Sequence, residues 1–398
     1  MFDKSLIDFV HRHADADIIQ LILHKDKYPD IDVRQAVKCI EGLRKLQKKL
    51  PLWAKHRDVM VPDPVMVEQA SSYETALYKT RFVPSHNSVI LDMSGGLGID
   101  TSLFSSVTVN KTHYLEKDPD RAHLASHNFS ILGLSNIETH VGVAEEEGID
   151  LIKRYLPELI FIDPDRRAQD KKRSFFIEDS TPNIRELIPK ITSIHPSCHI
   201  LIKLSPMIDI SYLKEAIKTN FDIHVVSSDR ECKELLVHIR SNDSKKQQKI
   251  FAIELFKTST FYLQTTPNKG EKPIYKDQLG KFIYDLYPSV AKIGLEYFFN
   301  FSSQVSQVHP NTHLYFSDRF IESFPGRKFE VISSFAWGKK AIKELKEKEF
   351  NVIVKNLNTS PEKVIKDFKI KEGGEDYLFC FSMGNTTQKQ LIIARRLG

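Results

Sequence analysis

Residues 89–100 read VILDMSGGLGID, an apolar run that ends in an acid and then breaks into three glycines within four positions. Leu91 and Asp92 close the run, Ser94 opens the turn, and Gly95, Gly96 and Gly98 let the backbone turn sharply against a ligand, with Asp100 just beyond. That chemistry is nucleotide binding. A dinucleotide fingerprint needs G-x-G-x-x-G, and Thr101 stands where the third glycine belongs, so the fit to a nicotinamide cofactor is poor. About 20 residues past the loop, Glu116 ends the next apolar run, where a carboxylate can accept hydrogen bonds from ribose hydroxyls. Further on, LIFIDPDRR delivers Asp163, Pro164, Asp165, Arg166 and Arg167 to the end of another apolar run. Asp163 could accept a proton or hydrogen bond from a nucleophile. Arginine planes there could stack on a base or, with Lys171, Lys172 and Arg173, clamp phosphates. The plainer readings are a tight structural turn, a surface glutamate, and a salt bridge between Asp165 and one arginine.

These groups work together only if one sheet carries them to one rim. Apolar runs SVILDM, THYLEK, IETHVG, LIFIDP and HILIKLS are spaced by stretches long enough for helices, which predicts parallel strands with crossovers over 88–258. The runs DIHVVSS, ELLVHIR and KIFAIEL follow with separations too short for helices, so the sheet should end in an antiparallel hairpin. Lys203 and Ser205 in KLSP, and Glu231 and Lys233 in DRECKE, should reach the same rim as candidate substrate contacts. Phe175 and Phe176 could stack on an unstacked base.

Residues 1–87 read as a helical domain. In DVRQAVKCIEGLRKLQKKL, Val33, Val37, Ile40, Leu43, Leu46 and Leu50 share one helix face, and Arg34, Lys38, Arg44, Lys45, Lys48 and Lys49 cover the other. That basic face is either solvated or set against phosphates, solvation being the default. Ser71 or Ser72 can cap the helix that precedes the glycine turn. Residues 259–398 read as a linker, KTSTFYLQTTPNKGEKPIYKDQ, leading into a small α+β domain whose strands are FEVISSF, FNVIVKN, YLFCFSM and KQLIIARR.

Composition excludes several classes. The 398 residues carry a net charge of +5, which permits nucleic-acid binding without demanding it. No apolar stretch approaches the roughly 20 residues needed to span a bilayer, and the amino terminus lacks the pattern of a signal peptide, so a cytoplasmic protein without membrane attachment is expected. The cysteines Cys39, Cys198, Cys232 and Cys380 show no zinc spacing, so no metal and no disulfide framework is expected.

Over 88–258, Gly96-x-Gly98 with Asp92, Glu116 and Asp163-Pro164 resembles the ordered motifs of class I S-adenosylmethionine-dependent methyltransferases. The resemblance implies a Rossmann-like seven-stranded α/β sheet with one antiparallel strand, S-adenosylmethionine over Gly95 to Gly98, and its ribose on Glu116. GVAEE, after the third strand, should then flank the adenine; Val143 stands where the family often has Asp, and Glu145 is the candidate contact. Nearly the full chain is similar to a bacterial group of methyltransferases with a THUMP-like carboxyl-terminal domain, through DMSGGLGIDT, FIDPDRR, RECKELL, YPSVAKIG and NTSPEKVIKDFKIKEGGEDYLF. That likeness implies an RNA substrate by analogy, a base of rRNA or tRNA. Where amino methyltransferases carry Asp/Asn-Pro-Pro-aromatic, this chain keeps Asp163-Pro164 but has Asp165 and Arg166. A protein or small-molecule methyltransferase, and a cofactor- or RNA-binding protein whose chemistry has decayed, therefore stand as alternatives. Oligomeric state is not readable from the sequence.

Overall fold

The computed structural model describes residues 4–166, 177–240, 247–268, 270–276, 278–384 and 388–397. Contacts divide the chain into two units, Met1–His224 with Lys233–Lys246, and Val225–Cys232 with Gln247–Gly398.

The short apolar runs become strands β1 (Ile90–Asp92), β2 (Thr112–Glu116), β3 (Ile137–Val141), β4 (Leu159–Ile162), β5 (His199–Leu204), β6 (Asp222–Ser228) and β7 (Glu231–Ile239). Every residue of β1, β2 and β4 is buried, the pattern of strands covered on both faces. The order is β3-β2-β1-β4-β5-β7-β6. Pairings are parallel from β3 through β5, and β7 runs antiparallel to β5 with Lys203 opposite Leu236. The expected seven strands of the α/β sheet are present, within a sheet of nine. Chain order reverses between β1 and β4, which opens a crevice at the carboxyl ends of the strands. Asp92, Glu116, Asp163 and Lys203 all sit at those ends.

The helix Val33–Lys49 forms where the periodicity places it, capped by Asp32, which accepts the N–H groups of Arg34 and Gln35. Leu46, Leu50 and Trp53 share a core with Leu97, Tyr114 and Phe129, so the helical segment packs directly beneath the glycine loop. Its basic face is partly spent inside the protein. Arg44 donates to the carbonyls of Ala14 and Ala16 at 2.8 and 2.6 Å, Lys45 pairs with Glu68, and Lys49 donates to the carbonyls of Val67, Glu68 and Ala70. Arg44 and Lys49 serve packing, and Lys45 makes a surface ion pair.

In the second unit, Val225–Ser228 borders β8 (Ile250–Leu255), and β8 pairs antiparallel with β9 (Thr260–Thr265). Strand β9 corrects the reading of KTSTFYLQTT as linker. Its exposure alternates strictly, with Phe261 and Leu263 turned inward, and the surrounding prolines and lysines mask that short period-two signal. A second sheet holds β10 (Phe282–Leu286), β11 (Leu314–Ser317), β12 (Gly326–Ala336), β13 (Glu349–Lys355), β14 (Lys371–Met383) and β15 (Gln388–Leu397), with β11-β10-β12-β15-β14-β13 adjacent in that order. Helices Lys339–Leu345 and Pro361–Phe368 bury Leu345, Val364 and Phe368 against Leu378, Cys380 and Leu391. Among the described residues no helix is long and apolar enough to cross a membrane.

Candidate active site

The glycine turn is built from its acids. Asp92 is buried and accepts hydrogen bonds from Ser94 N at 3.0 Å, Ser94 Oγ at 2.9 Å and Thr101 Oγ1 at 2.6 Å, which tie the end of β1 to the first turn of the next helix. Burial pushes the Asp92 carboxyl up to about 7. Gly95, Gly96 and Gly98 all have positive φ, a region that side chains rarely enter. Glu116 lies under the turn; its Oε2 accepts Gly96 N–H at 2.8 Å and its Oε1 accepts Asp118 N–H at 3.0 Å. The Tyr114 hydroxyl donates to the Gly96 carbonyl at 2.6 Å. Each Glu116 oxygen can still accept a second hydrogen bond, as two ribose hydroxyls would require.

The glycines have different physical reasons. A Cβ on Gly95 would lie 2.6 Å from Glu116 Oε2, and one on Gly98 would lie 2.4 Å from the Phe129 ring. One on Gly96 would meet nothing within 4 Å. Open space for a ligand therefore lies at Gly96, and Gly98 is small to admit Phe129. We expect Gly98→Val to lower the melting temperature by displacing that ring, and Gly96→Ala to weaken nucleotide binding with a smaller stability loss, of about 1–2 kcal/mol for its left-handed backbone. Thermal melts beside ligand titrations check the pair, and the reverse ranking would contradict the assignment.

At the end of β4, Asp163 N–H donates to Ser94 Oγ at 2.8 Å, so the Asp-Pro turn and the glycine turn are joined. Lys203, from β5, donates to Asp163 Oδ2 at 2.5 Å. Burial raises the Asp163 carboxyl and Lys203 opposes the rise. Burial opposes the charge on Lys203, yet Asp163, Asp100 and Glu234 outweigh it and hold the ammonium above the ordinary lysine range. Behind this pair lies Lys79, wholly buried, which donates to both oxygens of Glu234 at 2.8 and 2.9 Å and to Ser71 Oγ at 3.2 Å, and stands 3.2 Å from Asp100 Oδ1. Ser71 Oγ donates to Asp100 Oδ2 at 2.7 Å, while Ser72 is the residue that caps the helix Tyr73–Lys79. Burial raises the Glu234 carboxyl.

Lys79 and Glu234 escaped the sequence reading. The signal was present: Lys79 follows Thr75 and Ala76 by four and three positions, on the buried face of its helix, and Glu234 precedes the buried run LLVHI of β7. Of the residues singled out from sequence, Asp92, Ser94, Gly95, Gly96, Gly98, Glu116, Asp163 and Lys203 are linked by the contacts above. Asp100 faces the Lys79 network. Pro164 follows Asp163, and Asp165 is exposed with Lys117 Nζ 3.6 Å from its Oδ2, a lysine where an arginine was weighed. Glu145 accepts Asn183 N–H at 3.3 Å. Ser205 Oγ accepts Met207 N–H at 3.3 Å. Lys233 belongs to the first unit and the exposed Glu231 to the second. The backbone of Arg166 pairs with Ser180. Arg167, Lys171, Lys172, Arg173, Phe175 and Phe176 lie outside the described residues.

A sheet of order 3-2-1-4-5-7-6 with a glycine turn after β1 and an acid after β2 defines the class I methyltransferase fold. A family profile described as THUMP domain-like matches residues 326–396, and one described as a ferredoxin-like domain matches residues 282–325. The chain is similar over its whole length to a candidate methyltransferase from Porphyromonas gingivalis W83, at 26% identity and a TM-score of 0.82, covering 100% of both chains. An rRNA methylase from Streptococcus thermophilus aligns at 16% identity over 42% of this chain and 94% of its own, with a TM-score of 0.32, too low to carry weight. No curated protein matches significantly. The chain is thus a class I methyltransferase-fold protein with a THUMP-like carboxyl-terminal domain.

Proposed function

We propose that the protein is an S-adenosylmethionine-dependent methyltransferase acting on a base of rRNA or tRNA in the cytoplasm. The observation that carries the cofactor assignment is the open face at Gly96 above the Glu116 carboxylate, a cradle that fits an adenosyl group. When bound, the cofactor supplies an electrophilic methyl group on a sulfonium. The protein then has to align a lone pair with that carbon at roughly 3–3.5 Å, and no metal is required. We assign that task to Asp163. With Oδ2 held by Lys203, its Oδ1 remains to accept the N–H of an amino nucleophile and to take or relay the proton released on transfer. Lys203 is a positioning residue that keeps the carboxylate oriented and ionised.

The RNA assignment is supported by the THUMP-like profile over 326–396. The domain reading follows the same division of labour: a helical 1–87, a methyltransferase domain over 88–258, and an accessory domain over 259–398 that grips RNA. Titration with S-adenosylhomocysteine tests the cofactor, and saturable binding that weakens in Gly96→Ala is expected. RNA affinity measured across salt tests the substrate, since log K should fall linearly with log salt as phosphate contacts release counterions. Affinity insensitive to salt would turn the assignment toward protein or small-molecule acceptors.

A further inference from the structure

A cluster unrelated to the glycine turn lies on the outer part of the first sheet. His113 of β2 stands opposite Glu138 of β3, and His140 follows two residues along the same strand, so the three side chains emerge on one face. His113 Nδ1 lies 3.1 Å from His140 Nε2 and 3.5 Å from Glu138 Oε2, and one ligand atom from each residue falls within 4.8 Å of the others. Two imidazoles and a carboxylate are the donor set of a borderline divalent cation. For bonds of about 2.0–2.1 Å, a tetrahedral site separates its ligand atoms by about 3.3 Å, close to the spacing found. We infer that His113, Glu138 and His140 form a binding site for a divalent transition metal of the zinc class, with water completing the shell.

The surroundings suit that role. Tyr155 stacks on His113 with ring centroids 3.9 Å apart, which fixes the imidazole plane. Lys111 Nζ sits 3.1 Å from Glu138 Oε1, leaving Oε2 toward the histidines. Glu138 keeps 39% of its side chain exposed, and β3 is the last strand of the sheet, so an ion can enter from solvent. The expectation of no metal was drawn from cysteine spacing, and this site uses no cysteine. A bound ion would clamp β3 to β2, the strand that carries Glu116.

The test is a titration of the full, metal-stripped chain with Co²⁺, read by visible absorption. The expected result is one equivalent bound with tetrahedral d–d bands and no thiolate charge-transfer band, together with a higher melting temperature in Zn²⁺. His140→Ala, at a partly exposed position, should abolish the bands and the thermal shift while its melt without metal stays cooperative, and Glu138→Gln should weaken both. Absence of the bands in the intact chain would overturn the proposal. Bands that persist unchanged in both variants, or a charge-transfer band showing that Cys232 or another thiol holds the ion, would overturn it equally.

Discussion

Asp163→Ala should bind S-adenosylhomocysteine as the parent chain does and lose transfer by about 10²- to 10⁴-fold, the usual contribution of a positioned general base. The separation of effects follows from the contacts. The glycine turn is held by Asp92, Thr101 and Glu116, and only the Asp163 backbone N–H, which the variant keeps, reaches Ser94. A companion change sharpens the result. Burial raises the Asp163 carboxyl and Lys203 draws it down, so Lys203→Met should move the acid limb of the pH–rate profile upward. The sign is set by which form works: the carboxylate accepts, so activity falls as pH drops through its titration, and that midpoint rises once the cation is gone. Equal transfer by Asp163→Ala, or an acid limb unmoved in Lys203→Met, would remove Asp163 from the reaction.

The largest effect on stability is expected at Lys79. Replacing it with Met leaves Glu234, 2% exposed, and Asp100, 8% exposed, without their shared cation, and breaking a buried pair in this way typically costs about 3–5 kcal/mol. The loss should depend on pH. Without Lys79 the Glu234 carboxyl titrates still further above 4.5, so the native state binds a proton that the unfolded state has released. Stability of the variant relative to the parent therefore declines as pH rises from the parent's already raised Glu234 titration toward the variant's still higher one. Denaturant melts at pH 5 and pH 8 check this, and a variant as stable as the parent at both would show that the network contributes nothing to the fold.

The two predictions differ in how far they could be read from sequence. The glycine turn, Glu116 and Asp163 were legible because local order fixes them: each lies at the end of a short apolar run, and a parallel sheet brings those ends to one rim. The pairing of Lys79 with Glu234 was not, since each lies beside a buried run but 155 residues separate the partners and only the fold brings them together. Strand β9 hid for another reason, its alternation being six residues long and set among prolines and lysines. The His113, Glu138 and His140 cluster depends on strand register, a property of pairing that spacing within one strand does not reveal. At Gly98 the sequence shows the glycine turn, and only the folded chain shows the Phe129 ring against it.

One measurement bears most directly on the proposed activity: transfer of labelled methyl from S-adenosylmethionine into total RNA from cells that lack this protein, with Asp163→Ala run in parallel. Label in RNA is expected with the intact chain and almost none with the variant. No label from the intact chain, while S-adenosylhomocysteine still binds, would contradict an RNA methyltransferase built on this site.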